Sequence, residues 1–144
     1  ILTPENREKY KQLKIMDITQ WLKEVVLPRI KVIRPKNRIL LHPTCSCQIM
    51  GLTPVLLDIA RKCAREVILP DNWGCCGASG DRGFIFPELS DSATRDERDE
   101  IGHESFDGCY SLARTCEIAM QDHIEQPYES IVYLVDETIQ DQGT

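Results

Sequence analysis

The chain has 144 residues, enough for one domain with an ordinary core and hardly two. Apolar residues make up 42% and charged residues 28%, a balance that excludes a disordered chain and suits a soluble globular one. The net charge of −6, the lack of a long basic stripe and the lack of an apolar run of spanning length argue against nucleic acid, an anionic lipid surface and a transmembrane segment.

Residues 1–13 are polar and read as a ragged lead-in or a short helix. Residues 17–27, DITQWLKEVVL, suit an amphipathic helix capped by Asp17, with Trp21, Leu22, Val25 and Val26 on its buried face. Pro28 ends or kinks it. A first strand is expected over residues 37–43, followed by CSCQIMG as a turn or a first helical turn. A helix then starts at Thr53 with Pro54 in its first position, and buries Val55, Leu56, Ile59, Ala60 and Cys63. EVILP (66–70) reads as a second strand, and a glycine-rich stretch, NWGCCGASGDRGF (72–84), follows it. Residues 88–104 form a charged helix broken near Gly102, with TRDERDE (94–100) as a solvated face. DGCYSL (107–112) is a weaker third strand and a helix starts near Thr115. SIVYLV (130–135) reads as the fourth and clearest strand, and DETIQDQ as a closing helix.

Short apolar strands alternating with helices predict an α/β fold, a three-layer sandwich around a mostly parallel sheet of about four strands. Residues 1–36 form a lead-in and helix, residues 37–144 the α/β domain, and the two make one globular unit. No secretory leader is read at the start. The first residue is Ile1, so the unit is expected to be the C-terminal part of a longer polypeptide.

Seven cysteines are present, and an odd number in a core-forming chain fits a reducing compartment better than a disulfide scaffold. Cys45, the pair Cys75–Cys76, and Cys116 each follow a predicted strand end. Loops after the carboxyl ends of parallel strands gather on one edge, so these four thiols are expected to converge. Four such cysteines can hold zinc or an iron–sulfur cluster, and tetrahedral sulfur ligation alone does not separate the two. Gly74 and Gly77 ease a turn that aims both thiols one way, and the bare amides of Gly77, Ala78, Ser79 and Gly80 could donate to cluster sulfides. A disulfide or thiol pair, and inert buried thiols, are the alternatives.

The order Cys45, Cys75-Cys76-Gly77, Cys116 resembles the CCG or cysteine-rich domain. That domain occurs in heterodisulfide-reductase-like and lactate- or glycolate-oxidising iron–sulfur proteins. The stretches LLHPTCS (40–46), PDNWGCCGASGDRGF (70–84), PELSDSAT (87–94), SLARTCEIAM (111–120) and PYESIVYLVDE (127–137) look most like the C-terminal part of FAD-dependent D-2-hydroxyacid dehydrogenases of the D-lactate type. The usual final Cys-x-x-Cys is reduced here to Ala113-Arg114-Thr115-Cys116, which leaves four thiols, the number an ordinary [4Fe–4S] cubane needs. The resemblance implies an electron-transfer domain that passes electrons from reduced flavin to a quinone or cytochrome. FAD would lie in a separate domain of the full-length polypeptide. The implied location is the cytoplasm, or the inner membrane surface in the full-length protein. Arg82 and Arg114 would offset cluster charge, and Gly74 and Gly77 would shape the cofactor turn.

Other residues carry plainer expectations. His42 reads as a strand-end histidine hydrogen-bonded to backbone, with ligation or proton donation as alternatives. His103 and His123 read as solvated. Cys63 and Cys109 read as core, and Cys47 is ambiguous. Asp81 and Arg82 could bridge on the surface, and Trp73 could roof the site. Two further functions compete with electron transfer. One is a zinc-stabilised structural or partner-binding domain on the same thiols. The other is a thiol–disulfide module using Cys75 and Cys76, although adjacent cysteines close only a strained ring.

Overall fold

A computed structural model describes residues 3–139. Four parallel strands, β1 (Lys36–Leu41), β2 (Ala64–Ile68), β3 (Cys109–Ser111) and β4 (Tyr128–Ser130), form one sheet in the order β2-β1-β3-β4. Leu40 of β1 pairs with Ile68 of β2 on one side and with Cys109 of β3 on the other. The α/β sandwich with a mostly parallel sheet is therefore present.

Side chains alternate across β1 and supply two cores. Ile39 and Leu41 join Tyr110 beneath α4 (Thr53–Cys63) and α8 (Ile131–Ile139). Leu40 and Cys109 face the other way, toward α7 (Arg114–Ile124) and the glycine-rich loop. The strands are apolar on both faces because helices cover both. α4 buries Leu56, Ile59, Ala60 and Cys63, one stripe at helical spacing, and Pro54 sits in its first turn.

The N-terminal segment is less regular than expected. After α1 (Pro4–Tyr10), a capping box of Asp17 and Gln20 starts the single turn α2 (Ile18–Trp21). The chain then widens into a π-helical turn over Leu22–Val26 and tightens into a 3₁₀ turn over Leu27–Arg29, where Pro28 lies. Leu22 and Leu27 enter the first core, whereas Trp21 stays 44% exposed.

One element differs in type. SIVYLV is not a strand: β4 ends at Ser130, and Ile131 opens α8. Ile131, Leu134, Val135 and Thr138 are buried, the i, i+3, i+4, i+7 spacing of a helix face. A strand would have put Val132 and Leu134 on one side, yet they are 38% and 0% exposed. Residues 140–142 of the expected closing helix lie outside the described residues.

The charge run also needs correction. In α6 (Pro87–Ile101), Ser90, Thr94, Glu97 and Ile101 make the buried stripe, so TRDERDE is solvated on only part of its circumference. Gly102, with φ +57°, ends the helix as expected.

Candidate functional site

The carboxyl edge of the sheet gathers the expected segments. Thr44 caps the short α3 (Cys45–Ile49) directly after β1, with its hydroxyl accepting from the Cys47 amide at 3.3 Å. Cys45 therefore starts a helical turn. Cys75 and Cys76 lie on the loop after β2, and Cys116 lies in the first turn of α7 after β3. A pocket of about 300 Å³ is lined by all four thiols together with Ala78, Ser79 and Gly80.

Their mutual arrangement is paired. Cys76 Sγ and Cys116 Sγ are 3.0 Å apart and buried. Cys45 and Cys75 interact with each other and are exposed. The Gly77 amide donates to Cys75 Sγ at 3.4 Å. Gly77 adopts φ +74° and its backbone runs hard against α6. A Cβ there would lie 2.6 Å from the Leu89 carbonyl oxygen and 2.7 Å from Ser90 Cα. Glu100 of α6 holds the front of this loop, accepting from the amides of Asp71 at 2.6 Å and Asn72 at 2.8 Å.

The two buried sulfurs are shifted in opposite directions. The hydrogen bond with Cys116 pulls the Cys76 thiol down to about 6 against the opposing cost of burial. The Ala78 amide and the charge of His42 add to that depression. Cys116 is pushed well above the usual thiol range by its bond to Cys76 and by burial. The two thiols share one hydrogen bond, and Cys76 is the more acidic of the pair. For Cys75, the lowering effect of the Gly77 amide is overridden by burial and by the neighbouring Cys76 and Cys45, so its pKa is raised. Burial alone pushes Cys109 up to about 12, and burial also raises Cys47 and Cys63. All three are core thiols, at 2%, 1% and 0% exposure.

His42 is 1% exposed, and its ring does not bond to backbone. Its Nδ1 meets Glu97 of α6 at 2.9 Å, and Glu97 is 2% exposed. The backbone carbonyl of His42 instead accepts from the Ser111 hydroxyl at 2.9 Å. Glu97 was not legible as a site residue, since it sits inside a run of exposed charge. Its one signal is that positions 90, 94, 97 and 101 share a helix face. His103 is exposed and His123 half-buried.

The remaining expected residues stand apart from the thiol pocket. Arg82 is exposed on α5 (Arg82–Ile85), Asp81 is exposed beside it, and Trp73 and Gly74 are half-buried in the loop. Arg114 lines a neighbouring pocket with Glu117, Glu129 and Tyr133, and donates to Glu117 at 3.1 Å.

Metal ligation requires several donors around one point. Among the described residues no group of three or more His, Cys, Asp or Glu side chains could hold a metal ion. Lining one pocket as two pairs is not the same as surrounding one centre. No family model, curated protein or solved structure matches the chain. The [4Fe–4S] reading of Cys45, Cys75, Cys76 and Cys116 is corrected accordingly, and so is the zinc alternative. The likeness to the CCG domain of D-lactate dehydrogenases falls with them. So does the relay from FAD to a quinone or cytochrome, which had no other support. No helix among the described residues is long and apolar enough to cross a membrane.

Proposed function

We propose that the chain is a dithiol–disulfide exchange domain whose working pair is Cys76 and Cys116. The observation that carries this reading is the 3.0 Å approach of the two sulfurs beneath a pocket, with Cys45 and Cys75 exposed at its mouth. The adjacent pair Cys75–Cys76 is not the couple, since neighbouring residues close only a strained ring. Cys76 and Cys116 are 40 positions apart, one on the loop after β2 and the other in α7, so no such ring constrains them.

The co-reactant is a disulfide, small or carried on a protein. Cys76 thiolate attacks one sulfur of R–S–S–R′, forms a Cys76–S–S–R mixed disulfide and expels R′S⁻. Cys116 then gives up its proton to the departing thiolate and attacks Cys76 Sγ. A Cys76–Cys116 disulfide forms and RS⁻ leaves. Two protein thiol sulfurs are oxidised, and one external disulfide is reduced to two thiols. A depressed pKa supplies the attacking thiolate near neutrality, as this chemistry needs.

The test is incubation of the chain with oxidised glutathione at pH 7, followed by acid quench and peptide mapping. A Cys76–Cys116 cross-link is expected, and Cys116→Ser should instead accumulate the glutathione adduct on Cys76. Wild-type protein that forms no such cross-link, or that links Cys45 to Cys75 alone, would overturn the assignment. Cys47, Cys63 and Cys109 should stay unmodified while the fold is intact.

A further inference from the structure

The first turn of α7 stands between two cavities. Ala113, Thr115 and Cys116 line the thiol pocket, whereas Arg114 and Glu117 line a second cavity of about 500 Å³. That cavity lies at the carboxyl ends of β3 and β4, whose last residues, Ser111 and Ser130, pair across the sheet. Leu112, Glu129, Ser130 and Tyr133 complete its wall. Disulfide exchange at Cys76 uses none of these residues. Glu117 is only 4% exposed, an uncommon place for a carboxylate. Arg114 donates to its Oε2 at 3.1 Å, and Oε1 has no hydrogen-bond partner among the described residues. Half of a buried carboxylate facing a cavity thus lacks a donor, where buried polar groups are normally paired. Arg114 is exposed and keeps most of its N–H donors for a ligand.

Resting on the exchange reading above, we infer that this cavity holds the amino-acid zwitterion at one end of a small disulfide whose sulfurs meet Cys76 in the neighbouring pocket. Glu117 and Glu129 set two carboxylates against the one guanidinium of Arg114. The surplus negative charge disfavours a plain anion and favours a ligand with an ammonium group. The guanidinium beside them favours a carboxylate on the same ligand. The Ser130 hydroxyl accepts from the Val132 amide at 3.4 Å and keeps its own proton to donate. An α-amino-acid end carries both charges on one carbon. The reach agrees as well. A helix is about 10–12 Å across with its side chains, and three extended residues span about 10 Å. A short peptide with its disulfide at Cys76 can therefore cross the first turn of α7 and reach Glu117. No bond is made or broken in this cavity: its residues bind, and exchange proceeds at Cys76 and Cys116. Glutathione disulfide has the required form.

Two measurements on wild type, E117Q and R114Q test the inference. The first titrates S-methylglutathione, which keeps the zwitterion but has no reactive sulfur, and follows the amide resonances. Shifts are expected at residues 112–117 and 129–133, with affinity lower by about threefold or more in both variants. The second takes the rate of Cys76–Cys116 cross-linking by glutathione disulfide and divides it, in each protein, by the rate with uncharged bis(2-hydroxyethyl) disulfide. Glutathione disulfide is net negative, so charge repulsion alone would raise this ratio in E117Q. Loss of an ammonium contact should instead lower it by about threefold or more. Absence of shifts in wild type, or a ratio in E117Q that rises or stays level, overturns the inference. Should E117Q unfold, R114Q decides, since Arg114 is exposed, and unchanged binding of S-methylglutathione overturns it. No cross-link in wild type with either disulfide overturns the exchange reading instead, so the two failures are distinct.

Discussion

Gly77 shows how much one missing side chain matters to this site. Its backbone has positive φ and lies within 3 Å, measured from an ideal Cβ, of the Leu89 and Ser90 main chain. Main chain cannot swing aside as a long side chain can. Gly77→Ala should therefore lower stability by roughly 1–3 kcal/mol from backbone strain alone, with the overlap adding to it. Urea unfolding would measure this, and Gly74→Ala is the control, since a Cβ there meets nothing within 4 Å. Equal midpoints for the two variants would contradict the packing described. The two glycines framing the cysteine pair look alike in sequence but have different physical roles. The same holds for the seven thiols. Cys47, Cys63 and Cys109 do not line the pocket, whereas Cys76 and Cys116 line it and share a hydrogen bond.

At the scale of elements, α8 is the instructive case. SIVYLV is rich in β-branched residues, and local preference alone reads it as a strand. Packing overrides that preference, because a three-residue β4 already completes the sheet edge and the helix beyond it seals the first core. Leu134→Ala should cost about 2–5 kcal/mol, as for a fully buried leucine. Val132→Ala should cost far less, since Val132 is 38% exposed. Similar losses at both positions in a denaturant series would favour a strand. α6 carries the complementary lesson. Its polar stripe of Ser90, Thr94 and Glu97 faces inward because it meets His42 and the glycine loop, not an apolar surface.

At the scale of the whole molecule, strand order builds the site. β2 and β3 lie on opposite sides of β1, so the connections leaving β1 and β3 part from each other at the carboxyl edge. A crevice opens where the order reverses, the usual place for chemistry in an open parallel sheet. Cys45 and Cys116 stand on its two lips, and the loop after β2 brings Cys76 across to Cys116. A disulfide there would tie the loop after β2 to α7 and close a long loop of chain. Oxidation should stabilise the fold by roughly 3–4 kcal/mol if native geometry is kept. Urea midpoints of oxidised and reduced protein would measure it. An oxidised form no more stable than the reduced one would mean that the two sulfurs cannot join without displacing the loop after β2 or α7.

Alternation of apolar strands with helices determined the layer architecture by itself, because a strand covered on both faces must be apolar throughout. It also determined which thiols meet, because parallel strands send their following loops to one edge. Capping at Asp17 and the stop at Gly102 were equally local and equally legible. How the thiols meet was not. Whether four sulfurs surround one point or stand as two pairs depends on loop paths of a few ångströms, which residue order does not encode. The partnership of His42 with Glu97 spans 55 positions and was hidden within a run of charge. Only the tertiary structure decided these, because hydrogen bonds and proton positions follow from distance and burial, and both are properties of the folded chain.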